Sequence, residues 1–256
     1  MLLPFIFAAA TSLFASDASI AKAFESRTGT LVLIDCASGK IQRYNTTLAT
    51  KAVAPCSTFK IWNTAIGLET GILTSADQPF WKWDGVNRGI EPWNHDLTLR
   101  QAYAVSCVPA YQTLARRIGP ERMNEWLKKL NYGNQDATSG NDVFWLPAPG
   151  RTPLLITADT QAQLMRNLAN GDVPFSSSTQ AVLKDIMQAS ATNRGTLYGK
   201  TGTSGSSVTP ELGWFVGYLI TDKKKLAFAC LLIGPHAAGK DARTLVEQLF
   251  TRQGLL

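Results

Sequence analysis

Histidine is nearly missing from this 256-residue chain: His95 and His236 are its two copies. A Ser-His-Asp triad and a histidine-built zinc site therefore have almost no material to draw on, and no metal is expected. His95, in Trp93-Asn94-His95-Asp96, reads as a residue that caps or packs near a helix start. The four cysteines, Cys36, Cys56, Cys107 and Cys230, form no C-x-x-C pair, and their apolar contexts leave buried thiols and bridges equally open. Acidic residues are fewer than basic ones, 19 against 25, for a net charge of +6. The excess is scattered, however, and the single run, Lys223-Lys224-Lys225, reads as a solvated turn, so a nucleic-acid partner is not expected. There is no internal repeat and no low-complexity tract. With 45% hydrophobic residues the composition is that of a globular chain with a sizeable core.

The first fifteen residues, MLLPFIFAAATSLFA, are almost wholly apolar, and Ser16 and Ala18 follow at the spacing of a signal-peptidase site. A basic leader is missing, since the first Lys or Arg is Lys22, and the stretch is too short for a stable span. Residues 1–18 are expected to be a signal peptide and 19–256 a single domain, periplasmic or secreted, with no membrane span after cleavage. A buried N-terminal helix or an uncleaved anchor is the competing reading.

Leu31 to Asp35 and Ile41 to Asn45 read as strands joined by Ser38-Gly39-Lys40. Helical patterns follow. Ser57 to Glu69, stopped by Gly71, places Phe59, Trp62, Ala65 and Ile66 on one face. Thr98 to Val105 opens on a Thr-x-x-Gln capping box, and Pro109 opens a helix to Ile118. Pro120–Leu130, Thr157–Ala169 and Ser178–Met187 complete the set, with Gly140 to Pro153 a proline-rich loop. Strands return at Thr196–Thr201, Leu212–Ile220 and Leu226–Ile233, before a last helix from Asp241 to Gln253. Strands at both ends predict an α+β fold: one antiparallel sheet flanked by helices, with an all-helical subdomain inserted over roughly 60–190.

Chemistry is suggested by Ser57-Thr58-Phe59-Lys60 and, about 140 residues on, Lys200-Thr201-Gly202. A serine hydroxyl needs a base to become a nucleophile. On a helix, Ser57 and Lys60 share a face one turn apart. A lone S-x-x-K means little, since roughly one arises by chance in a chain this size. The second motif gives it weight. Lys200 stands in an otherwise apolar strand; it could simply face solvent, but Gly202 beside it marks a close approach of ligand or backbone. Ser57 is expected at a helix N-terminus, where free N–H groups favour a developing oxyanion. Ser106-Cys107-Val108 falls in a tight link between helices, where a serine by itself is most often an ordinary cap.

Taken together, Pro55-Cys56-Ser57-Thr58-Phe59-Lys60, Ser106-Cys107-Val108-Pro109, Tyr132-Gly133-Asn134, Phe144-Trp145-Leu146 and Lys200-Thr201-Gly202 resemble, in order and spacing, the class D (oxacillinase-type) serine β-lactamases. The likeness spans about Leu31 to Ile233. It implies a β-lactam substrate, an acyl intermediate on Ser57, and a CO2-derived carbamate on Lys60 as general base, with no other cofactor. Burial among Phe59, Val108, Trp145 and Leu146 would favour the neutral amine that attacks CO2. By the same resemblance Trp145 would hydrogen-bond the carbamate and Val108 would shield it. Ser106 would relay a proton to the leaving nitrogen. Lys200, Thr201 and Gly202 would meet the substrate carboxylate, and the backbone N–H groups of Ser57 and Thr203 would form the oxyanion hole. Tyr132 and Asn134 would be structural, and Arg243 is the nearest candidate for a second carboxylate anchor. Cys107 and Pro147 depart from the family pattern. The rival expectations are a β-lactam sensor that is acylated without turnover and a penicillin-binding carboxypeptidase. Monomer and homodimer both remain open.

Overall fold

A computed structural model describes residues 15–151 and 153–256. The expected signal segment lies outside the described residues up to position 14; Ala15 is buried and Ser16 caps the first helix, α1 (Asp17–Phe24), so the boundary expected at 18 falls inside a helix. The chain then runs β1 (Gly29–Asp35), β2 (Ile41–Tyr44), α2 (Thr46–Ala49), a 3-10 turn (Cys56–Phe59), α3 (Lys60–Glu69), β3 (Pro79–Trp81), a 3-10 turn (Glu91–Trp93), β4 (Leu97–Thr98), α4 (Leu99–Ala104), α5 (Val108–Ile118) and α6 (Pro120–Lys129). It closes with α7 (Ala158–Asn170), α8 (Ser177–Ile186), β5 (Gln188–Ala191), β6 (Gly195–Thr203), β7 (Leu212–Thr221), β8 (Lys225–Ile233) and α9 (Gly239–Arg252).

Six strands form one antiparallel sheet in the order β2-β1-β8-β7-β6-β5. Alternate residues of its central strands feed two cores. Val32, Ile34, Ala227, Ala229 and Leu231 face α7 and the helical insertion, while Leu31, Leu33, Phe228, Cys230 and Leu232 face α1 and α9. A sheet covered on both faces needs apolar residues at every position, which is why β1 is buried throughout and why these strands read as continuous apolar runs.

The insertion keeps to its expected helices, with the capping box of Thr98 and Gln101 formed on both sides. It also carries the small β3-β4 ribbon. Helix α7 leaves the insertion and lies across β1, β7 and β8, so it belongs to the sheet layer. At one end of the sheet, β5 accompanies β6 only from Thr196 to Tyr198. Beyond Gly199, β6 keeps β7 on one side and meets the Cys56–Phe59 turn, which places the serine motif against the Lys200-Thr201-Gly202 motif.

Candidate active site

Ser57 does not open an α-helix. It stands in the 3-10 turn Cys56–Phe59, and α3 begins at Lys60. The reason is the residue before it: Cys56 holds a φ of 51°, a left-handed conformation unfavourable for a residue with a side chain, which tightens the chain into the turn. The turn is seated on β6 through Gly202. A Cβ on that glycine would lie 3.0 Å from the Pro55 carbonyl oxygen, 3.1 Å from Thr58 Cγ2 and 3.2 Å from Cys56 Cβ. Here the glycine is required by the close approach of another backbone, as expected.

The Lys60 amine donates to Ser57 Oγ at 2.7 Å. Lys60 is fully buried, and burial, followed by the positive charge of Lys200, lowers its pKa well below the ordinary lysine value. Its ammonium position lies 5.3 Å from the centroid of the Tyr111 ring. Lys200 is also buried, and its amine donates to Ser106 Oγ. Burial, with the Arg243 charge second, brings the Lys200 pKa down to about 7. Ser106 itself has φ 53°, and the indole of Trp93 donates to the neighbouring Val105 carbonyl at 2.9 Å. Two lysines, one of them close enough to depress the other, therefore each hold a serine hydroxyl. That pairing supplies a nucleophile with an adjacent proton acceptor and a second serine with an adjacent proton reservoir.

Around this pair, Phe59 packs on Trp145, Phe144 and Tyr132. Val108 and Leu146 are half-buried. The Trp145 indole N–H is fully buried and has no hydrogen-bond partner among the described residues. Tyr132 and Asn134 are brought together as a brace: Asn134 accepts from the Leu155 N–H at 2.9 Å through its side chain and donates from its backbone to the Leu155 carbonyl at 3.0 Å. Gly133 between them has φ 51°, and a Cβ there would fall 1.9 Å from the Leu155 oxygen. Thr203 is exposed, and its hydroxyl accepts from the Gly239 N–H at 2.9 Å. Arg243 shares a cavity wall with Tyr103, Lys200 and Thr201, but its guanidinium already donates to the Ala189 carbonyl at 2.6 Å and to Glu247 at 2.9 Å. All four cysteines are free and buried, which decides between thiols and bridges. His95 is exposed and pairs with Glu91.

The model of the penicillin-binding protein transpeptidase domain matches residues 21–251. The β-lactamase OXA-10 of Pseudomonas aeruginosa is 37% identical over 207 residues, 80% of this chain and 76% of its own. The chain belongs to the class D β-lactamases. The solved structure of FUS-1 (OXA-85), a class D β-lactamase from Fusobacterium nucleatum subsp. polymorphum, superposes with a TM-score of 0.87 at 36% identity, covering 94% of this chain and all of that one. The regulatory protein BlaR1 of Bacillus licheniformis is 31% identical over 90% of this chain, which corresponds to 37% of that larger protein. Membership of the class D β-lactamases makes the chain a serine hydrolase of the transpeptidase-like fold. Among the described residues no helix is long and apolar enough to cross a membrane, and no cluster of metal-ligating side chains occurs.

Several residues at this class D site carry no expectation from the sequence motifs: Tyr111 under Lys60, Tyr103 under Lys200, Trp93 behind Ser106, and Gln161 behind Thr58. Gln161 had a signal, because it interrupts the apolar stripe of Ala158, Ala162 and Met165 on α7. Trp93 and the tyrosines had none, being aromatic residues indistinguishable from ordinary core.

Proposed function

We propose that this chain hydrolyses β-lactam antibiotics through an acyl intermediate on Ser57, after export to the periplasm or medium. The observation that carries the reading is the 2.7 Å contact between Ser57 Oγ and a Lys60 amine that burial keeps from holding its proton firmly. Ser57 Oγ attacks the lactam carbonyl carbon, a C–O bond forms, and the ring C–N bond breaks. The hydroxyl proton leaves toward Lys60. The ring nitrogen takes a proton from Ser106, which is resupplied by Lys200, whose pKa near 7 suits both directions of transfer. The backbone N–H groups of Ser57 and Thr203 hold the carbonyl oxygen as it gains charge. Lys200, Thr201 and Gly202 receive the substrate carboxylate, with Arg243 as a further positive charge on the cavity wall.

The site also fits a carbamate on Lys60. The amine is depressed in pKa and so available to CO2, and the orphaned indole N–H of Trp145 stacks against Phe59 with a hydrogen bond to give. Bound there, CO2 would convert the lysine into an anionic base serving both acylation and hydrolysis of the acyl-enzyme, with Val108 limiting water access. Purified protein is expected to turn over a chromogenic β-lactam, to lose activity on thorough CO2 removal and to regain it with bicarbonate. Insensitivity to bicarbonate would remove the carbamate while leaving the acyl-serine path. The similarity to BlaR1 makes an acylated, non-hydrolysing sensor the second reading. Intact-mass measurement after brief antibiotic exposure separates them: a lasting stoichiometric adduct favours the sensor, whereas turnover that survives Ser57→Ala removes Ser57 from the reaction.

A further inference from the structure

Gln161 is an anomaly of α7. It is fully buried on an apolar stripe, it donates at 2.8 Å to the hydroxyl of Thr58, and its own carbonyl oxygen has no partner among the described residues. An apolar residue of similar size would fill the place without a buried, half-satisfied amide. The bond it does make leads straight to the nucleophile. Thr58 is fully buried too, and both its hydroxyl, at 2.7 Å, and its backbone N–H, at 3.2 Å, donate to the Pro55 carbonyl, closing the turn that contains the left-handed Cys56 and Ser57. A hydroxyl has one proton. Because Thr58 spends it on Pro55, its oxygen is free to accept from Gln161, and that acceptance holds the hydroxyl in the rotamer that closes the turn. The same turn rests on Gly202, and the Trp214 indole donates to the Ala54 carbonyl at 2.9 Å just before it.

We propose that Gln161 is a positioning residue for the nucleophile, acting through Thr58 to press the Cys56–Phe59 turn onto β6. This rests on the acyl-serine reading above. The geometry explains why such a clamp matters. Ser57 and Lys60 travel together on one turn of chain, but Ser106 belongs to the α4-α5 link and Lys200 to β6, so the relation between the two lysine-serine pairs is set by how the turn sits on the sheet. A shift of the turn leaves the cavity that receives substrate in place and displaces the attacking oxygen from it. The cost falls on acylation and little on substrate binding.

The test measures the single-turnover rate of Ser57 acylation by a chromogenic β-lactam in the full chain, with melting temperature recorded for every variant. Gln161→Met and Thr58→Val are each expected to slow acylation about tenfold or more, with KM changed less than about threefold. Because both act on one hydrogen bond, the double variant should be no slower than the slower single variant. Thr58→Ser, which keeps the hydroxyl, should restore most of the rate. Gln161→Glu preserves the volume should the methionine variant fail to fold. As a neutral acid it can donate to Thr58 and as a carboxylate it cannot, so its rate relative to wild type should rise as pH falls, a response that mere packing would not give. Wild-type acylation by Gln161→Met, additive losses in the double variant, or a pH-independent ratio for Gln161→Glu would each overturn the proposal. Turnover that survives Ser57→Ala would instead overturn the acyl-serine reading, and this one with it.

Discussion

Lys200→Met should change the way stability depends on pH, and the size of the change follows from burial. The folded protein holds the Lys200 pKa at about 7, against an ordinary 10.5, chiefly by desolvation and secondarily through the Arg243 charge. Below that pKa both folded and unfolded chains carry the proton, and the cost of the buried charge is present in full. As pH rises through about 7 the folded chain sheds the proton and the unfolded chain keeps it, so stability rises, with a limiting slope of about 1.4 kcal/mol per pH unit. Between about pH 6 and about pH 8.5 the gain attributable to Lys200 is therefore about 2 kcal/mol, which in a chain of this size is roughly 4–8 °C in melting temperature. Lys60 is shifted in the same direction and remains in the variant, where loss of the Lys200 charge relieves the second cause of its depression, so the comparison reads Lys200 together with that coupling. Above this window the buried thiols oppose the trend. Burial raises Cys56 and Cys230 to about 12 and Cys36 to about 11, and the unfolded chain then ionises first. Urea unfolding of wild type and Lys200→Met at the two ends of the window gives the answer. Wild type should gain about 2 kcal/mol more than the variant on going up in pH, and parallel behaviour would refute the claim that the folded state carries Lys200 largely neutral above pH 7.

Gly202→Ala should press the Pro55 carbonyl and Thr58 away from β6, costing roughly 1–3 kcal/mol of stability and lowering turnover by more than that loss of folded protein explains; denaturation and kcat on the same preparation check it. Gly133→Ala, with a Cβ 1.9 Å from the Leu155 oxygen and a positive φ, should be the more damaging change, above about 3 kcal/mol, and is read out by expression yield and melting temperature. Trp145→Phe keeps a ring on Phe59 while removing the orphaned N–H and part of a fully buried indole, so it should cost roughly 1–3 kcal/mol of stability and increase the bicarbonate needed for full activity.

What could be read in advance divides along a physical line. The strands of the buried sheet announce themselves as unbroken apolar runs and the helices by their amphipathic period, because both patterns are set by the same burial that stabilises the elements. The capping box at Thr98 and the glycine stop at Gly71 are local chemistry, and both are found in place. The small elements were not visible: α2 is a single turn, the β3-β4 ribbon pairs through a bulge, and β5 is a four-residue edge with mixed exposure. None of these is long enough to show a period. The motif residues Ser57, Lys60, Ser106 and Lys200 were legible as chemical types, and the structure brings them together in two hydrogen-bonded pairs. Their partners Tyr111, Tyr103 and Trp93 were not, because an aromatic residue facing a lysine looks the same in a sequence as one facing a leucine.

The turn at Ser57 shows where local rules stop. Left-handed backbone ordinarily selects glycine, asparagine or aspartate, yet here it falls on Cys56, immediately before Ser57 of one lysine-serine pair, and again on Ser106 of the other. Neither residue favours the conformation by itself, so tertiary contacts must impose it. For Cys56 the imposing contacts are identifiable: Trp214 holds the chain before the turn, Thr58 closes it onto Pro55, and Gly202 and Gln161 bear on it. For Ser106 they are the Tyr103 carbonyl, which accepts from its N–H at 3.1 Å, the Trp93 bond to Val105, and Lys200. The strain is thus the cost of aiming two hydroxyl groups from different elements at one cavity, and it explains why an expectation built on helix periodicity placed Ser57 on the right face but in the wrong kind of turn.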